Sequence, residues 1–155
     1  MDDCIFCMVV SGKVPSVKIW EDGKHIAILD INPNTEGMTL VITKKHYDSY
    51  AFDMPENEYT SAMLAAKTVG KVLDKGLKVK RTVLVAEGLG VNHLHIKLYP
   101  VHGLKDKFIE TWADGEVYFE GYEGYITTKL GPRKSIKELE KVKEKINKNL
   151  KIDKS

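Results

Sequence analysis

The sequence has few cysteines, no long apolar run and little net charge, and each shortage excludes a class of protein. Among 155 residues there are only two cysteines, Cys4 and Cys7. Two are too few for a disulfide framework, so their C-x-x-C spacing points to metal binding or redox chemistry. No apolar stretch approaches the roughly 20 residues that a membrane-spanning helix requires. The acidic start Met1-Asp2-Asp3-Cys4 lacks the basic-then-apolar pattern of a secretory signal. The expectation is a cytoplasmic protein with no membrane contact. A net charge of only +2 argues against a general nucleic-acid binder, and no specific nucleic acid is expected. The charge is uneven, since the stretch from Lys129 to Ser155 carries ten basic against four acidic side chains. Such an excess favours anionic partners, although a basic helix face is more often simply solvated. What is present is ordinary globular usage, 43% hydrophobic and 30% charged, in a length that buries a core.

Coarse periodicity places the elements. Cys4 to Ser11 reads as a short helix ended by Gly12 and Pro15. Val17–Trp20 and His25–Ile31 read as a hairpin around Glu21-Asp22-Gly23, and Thr39–Lys44 as a third strand. Asp53 is the expected helix cap, with Pro55 in the first turn and Glu56 as capping-box partner. Tyr59, Ala62, Met63, Ala66, Val69 and Leu73 then recur at helical spacing, over a helix expected from Asp53 to Lys75. Val79–Val85 and Val91–Tyr99 read as strands four and five. Further on, Glu116–Phe119 and Tyr125–Thr128 are expected as short strands, and Ser135 to about Leu150 as an amphipathic helix. Short turns between consecutive strands favour an antiparallel sheet and an α+β class.

The stretch Val91-Asn92-His93-Leu94-His95-Ile96-Lys97-Leu98-Tyr99-Pro100 carries the chemistry. In a strand, residues at i, i+2 and i+4 share a face, so His93, His95 and Lys97 are expected on one side and Leu94, Ile96 and Leu98 on the other. Three potentially cationic groups on one face call for an anion or a metal beside them. Neutral imidazole is a good nucleophile near pH 7 and suits covalent catalysis, which splits one difficult step into two. An exposed polar strand face is the plainer alternative. His25 and His102 have no assigned partner and are expected to be surface or half-buried residues.

This stretch resembles the signature of the histidine triad family, in which histidines alternate with apolar residues. Cys4-Ile5-Phe6-Cys7 with Gly12-Lys13-Val14-Pro15 is similar to the family's amino-terminal segment. Trp20-Glu21-Asp22 and Ala27-Ile28-Leu29-Asp30-Ile31-Asn32-Pro33 are similar to its first hairpin, and Leu40-Val41-Ile42-Thr43-Lys44-Lys45-His46 to its next strand. The resemblance covers about residues 4 to 102. The third triad position is Lys97 rather than histidine, and the preceding loop Glu87-Gly88-Leu89-Gly90-Val91 is short.

The resemblance implies a five-stranded antiparallel sheet with a flanking helix, a histidine-triad domain over 1–104, and an extension over 105–155 packed on it. It implies a nucleotide hydrolase or nucleotidyltransferase acting on purine nucleotides, with His95 as nucleophile and Lys97 as a charge-stabilising group at the phosphate. By the same resemblance Asp30 receives the ribose hydroxyls, Ile5, Phe6 and Val9 line the base pocket, and Cys4, Cys7, His46 and His93 hold a structural zinc ion. A homodimer is expected. The alternative class is a non-catalytic nucleotide-binding or regulatory module of the same fold.

Overall fold

The computed structural model describes residues 3–110, 112 and 115–121. The expected strand at Tyr125–Thr128 and the helix from Ser135 fall outside them. Most described residues belong to a compact unit spanning Met1–Ile109. In the second unit, Glu110–Ser155, the expected strand Glu116–Phe119 reduces to an isolated bridge at Glu116.

Seven main elements follow in chain order: α1 (Ile5–Val10), β1 (Lys18–Glu21), β2 (His25–Leu29), β3 (Thr39–Thr43), α2 (Glu56–Gly76), β4 (Thr82–Val85) and β5 (His95–Pro100). The strands form one five-stranded sheet in the order β1-β2-β3-β5-β4, and every adjacent pair is antiparallel. The fold is therefore α+β, as the strand pattern suggests. β3 sits in the middle, and all five of its residues, Thr-Leu-Val-Ile-Thr, are buried.

Register assigns the two faces. Ala27 pairs with Val41 and Val41 with Ile96, so these three share a face. Against them α2 lays Ala62, Ala65, Ala66, Val69 and Leu73. Three alanines on that stripe let the helix axis approach the sheet closely, and each buried Val or Leu contributes about 1.5–3 kcal/mol relative to exposure. On the other face Ile26, Ile42 and His95 stand in one row and Ile28, Leu40 and Lys97 in the next. Phe6 of α1 closes over the apolar part of this face.

The start of α2 departs from expectation. Pro55 is its N-cap, with no side-chain cap, and Asp53 lies in a preceding 3-10 turn, Ala51–Asp53. Proline at the cap already removes one donor and sets its own φ, so the turn before the helix absorbs Asp53. β4 starts at Thr82 rather than Val79, because the chain leaves α2 through Lys78 at φ 54 and the Val79 N–H is donated back to the Asp74 carbonyl at 3.1 Å.

The beginning of β5 differs most. Val91 to His93 is not strand: the His93 N–H donates to the Val91 carbonyl at 2.8 Å, and the Leu94 N–H to the Tyr47 carbonyl at 2.9 Å. His93 therefore lies in a tight bend ahead of the strand, and the run that shares a strand face is His95, Lys97 and Tyr99. His25 is also not at the surface; it is 1% exposed, and its Nδ1 lies 3.1 Å from Asp22 Oδ1.

Candidate active site and metal centre

Two clusters meet at the α1 side of the sheet. The first joins Cys4 and Cys7, from the start of α1, to His46 after β3 and His93 before β5. Their ligand atoms all lie within 4.8 Å of one another. His93 Nδ1 is 3.4 Å from Cys4 Sγ and 3.5 Å from Cys7 Sγ, and His46 Nδ1 is 3.4 Å from Cys7 Sγ. A tetrahedral zinc ion with Zn–S near 2.3 Å and Zn–N near 2.0–2.1 Å sets sulfur and nitrogen about 3.6 Å apart. The spacing therefore fits such an ion.

The outer contacts fit it too. His93 Nε2 stands 2.8 Å from the Thr43 carbonyl, which only accepts, so Nε2 carries the hydrogen and the Nδ1 lone pair faces the thiols. Burial, followed by the Cys4 thiol, pushes the Cys7 thiol up. Ionising both sulfurs side by side in that setting would require a cation. Burial also lowers the His93 pKa and favours the neutral ring that binds metal.

The second cluster is built on β5. His95 is 3% exposed, and its Nδ1 donates to the His93 carbonyl at 2.7 Å. That bond fixes the tautomer and leaves the Nε2 lone pair free to attack. Burial is the largest influence on the His95 pKa and drives it down, with the Lys97 charge acting in the same direction, so the ring is neutral near pH 7. Phe6 backs the ring edge-on, with centroids 5.0 Å apart. His93 thus serves both clusters: its ring faces the thiols while its carbonyl orients the His95 ring.

Lys97 lies two residues on, opposite Leu40 of β3 and Val85 of β4. Its ammonium is ion-paired with Glu87, a residue to which the sequence analysis assigned no role. Burial alone would lower the Lys97 pKa, but the Glu87 carboxylate outweighs it and the net shift is upward. Burial would likewise raise Glu87, and the Lys97 ammonium reverses that, so its carboxyl is held below its usual range. The signal for Glu87 was its position two residues beyond Val85, on the same face as Lys97, but seeing it requires the β4–β5 register.

Asp30 follows β2, and its carboxylate accepts the Asn32 N–H at 2.7 Å. Its N–H donates to the Met38 carbonyl at 2.9 Å, and, two residues beyond Ile28, it continues the face that carries His95 and Lys97. Of the expected base-pocket residues, Ile5 is 39% exposed, Val9 is half-buried, and Phe6 is committed to the core beneath His95. His102 lies apart, its Nε2 donating to the Glu36 carbonyl at 2.9 Å. A separate apolar hollow of about 250 Å³, lined by residues such as Met54, Ala62, Met63, Leu94 and Ile96, holds no imidazole, thiol or carboxylate.

Residues 11–103 match the family model of the HIT domain. The chain belongs to the HIT, or histidine triad, family. An uncharacterised HIT-like protein of Methanocaldococcus jannaschii is 36% identical over 101 residues, covering 63% of this chain and 78% of that one. The adenosine 5'-monophosphoramidase of Saccharomyces cerevisiae is 34% identical over 119 residues, covering 76% of this chain and 74% of the yeast protein. Among solved structures, a zinc-bound histidine triad family protein from Mycobacterium smegmatis superposes with a TM-score of 0.58 at 33% identity, covering 69% of this chain and 81% of that one. The HIT domain match spans β1 to β5 and includes both histidines of the bend and strand.

Proposed function

We propose that this HIT protein is a nucleotide hydrolase or nucleotidyltransferase that cleaves at the α-phosphate of purine nucleotide derivatives. The observation that carries the reading is the hydrogen bond from His95 Nδ1 to the His93 carbonyl, which leaves a neutral Nε2 lone pair on the face shared with Lys97. The similarity to a yeast adenosine 5'-monophosphoramidase supports a substrate of this class. Nε2 attacks the α-phosphorus, a P–N bond forms, and the bond to the leaving group breaks with its electron pair. Water or a second acceptor then displaces the imidazole and restores it neutral. Lys97, kept charged by Glu87, stabilises the phosphoryl oxygens as an electrostatic group rather than as a proton donor, so the leaving group takes its proton from solvent.

Asp30 is suited to the ribose hydroxyls because it is a half-buried carboxylate that continues the same face, and Ile5 and Val9 offer apolar surface to a base. Cys4, Cys7, His46 and His93 would hold a zinc ion. A closed Cys2His2 site supplies structural cross-linking, tying α1 to the segments around β3 and β5. A homodimer fits the exposed edge strand β4, whose Val83 and Leu84 are each 38% exposed.

The test incubates the protein with adenosine and guanosine phosphoramidates and dinucleoside polyphosphates, with His95→Ala as control. Release of nucleoside monophosphate by the wild type alone, with an acid-trapped nucleotidyl adduct on the protein, is the expected result. No release from any compound would overturn the enzymatic reading. Binding without release would favour a nucleotide-binding module, a reading that the occupied ammonium of Lys97 supports.

A further inference from the structure

The pairing of Lys97 with Glu87 changes what the site offers an anion. A lone ammonium next to a nucleophilic imidazole attracts any phosphate, and more strongly as the phosphate's charge rises. Here the ammonium is already matched. The side chains of Lys97 and Glu87 are only 24% and 13% exposed, so solvent and salt screen the pair less than they would at the surface. Glu87 is also pinned. Its second oxygen accepts the Leu89 N–H at 3.1 Å. The next residue, Gly88, sits at φ +64, and any Cβ there would lie 2.5 Å from the Ser49 carbonyl oxygen. Asn92 closes the far end of the same loop by accepting the Ser49 N–H at 2.9 Å and donating to Asp48 at 2.9 Å. The carboxylate is therefore a fixed part of the face and not a side chain free to swing away.

The charge balance follows. Burial keeps the Tyr99 phenol protonated. Lys97 and Glu87 cancel, and Asp30 leaves one negative charge. A face of this kind accepts a phosphoryl group bearing one negative charge, which the ammonium can share with Glu87. It repels a ligand bearing three or four.

We propose that Glu87 is a specificity-determining residue, whose pairing with Lys97 makes the site select ligands with a single negative charge on their phosphate, phosphodiesters and phosphoramidates, over nucleoside di- and triphosphates, whose further phosphoryl groups add charge. This deepens the functional reading above and rests on it. Glu87 acts through Lys97 and through the local charge, without itself carrying out a chemical step.

The experiment measures equilibrium binding of adenosine 5'-methylphosphate, AMP, ADP and ATP to the full chain by calorimetry, at two salt concentrations. The wild type is expected to bind the methyl ester at least as tightly as ATP. Glu87→Gln removes one negative charge and is expected to tighten ATP and ADP by about tenfold, with a change under about threefold for the methyl ester. Glu87→Asp keeps the charge and is expected to retain the wild-type order. Lys97→Met leaves Glu87 unpaired and is expected to weaken all four ligands, ATP most, which provides the test should Glu87→Gln not fold. An equal shift for all ligands in Glu87→Gln, a wild-type preference for ATP, or a uniform loss in Lys97→Met would each overturn the role of Glu87 while leaving nucleotide binding intact. Absence of binding by the wild type to every nucleotide would instead overturn the functional reading, and this inference with it.

Discussion

Gly88→Ala is the substitution whose cost the structure defines most directly. Gly88 has φ +64, a left-handed conformation that costs an L-residue about 1 kcal/mol. The new Cβ would also meet the Ser49 carbonyl oxygen at 2.5 Å and its carbonyl carbon at 3.0 Å. Those are backbone atoms, and the Ser49 N–H is itself held by Asn92, so the strip cannot simply give way. Relieving such a clash adds about 1–3 kcal/mol. The narrower unfolded ensemble of alanine returns about 0.4–1 kcal/mol. The net expectation is a destabilisation of about 1–3.6 kcal/mol, centred on about 2.3, read as a thermal midpoint lower by roughly 5–9 °C at that centre in a chain of this size. Gly90→Ala is the matched control, two residues along the same loop, where the added Cβ meets nothing within 4 Å. It should leave the midpoint within about 2 °C of wild type or raise it slightly. Melting followed by far-UV circular dichroism on the three proteins decides the matter. If Gly88→Ala melted together with Gly90→Ala, the loop would not be pinned against Ser49, and the fixed placement of Glu87 would lose its basis.

Three further outcomes follow from other parts of the molecule. Leu94→Ala, at a side chain 2% exposed beneath α2, should cost about 2–5 kcal/mol in urea unfolding, and a loss under about 1 kcal/mol would contradict its place in the core. A strong chelator should lower the melting midpoint of the wild type and release zinc in a one-to-one ratio, whereas Cys4→Ser should bind no zinc and melt independently of chelator; equal chelator sensitivity in both would exclude the Cys4, Cys7, His46, His93 centre. The ion pair to Lys18, followed by that to Lys44, holds Glu21 at about 2 against an ordinary 4.5. Because the folded value is depressed, its contribution to stability is fully present above 4.5 and is lost as pH falls toward 2. Carbon-detected NMR titration of the Glu21 carboxyl checks this, and a midpoint at 4 or above would refute it.

Much of the site was legible because short-range chemistry dictates it. Cys4 and Cys7 are one helical turn apart, so any helix starting there presents both sulfurs on one side. The alternation His95, Lys97, Tyr99 against Ile96 and Leu98 has the period of a strand, and it survives because one face is core. The stripe Ala62, Ala66, Val69, Leu73 likewise needs only the helical period and a sheet to lie on. The five strands and α2 follow from these local regularities, with ends shifted by a few residues where Pro55 and Lys78 redirect the backbone.

Local chain chemistry therefore encodes the pattern: which residues alternate, which cluster, and which elements carry them. Tertiary structure alone decided the meetings between elements. It turned His93 out of the strand, because the Tyr47 carbonyl takes the Leu94 N–H and the bend sends the ring toward the thiols. It buried His25 completely behind the Asp22 turn, at 1% exposure, further than a surface or half-buried position. It set Glu87 against Lys97 through the β4–β5 register, ten residues apart in the chain. Register across this loop depends on how the whole sheet packs, and no local propensity encodes it.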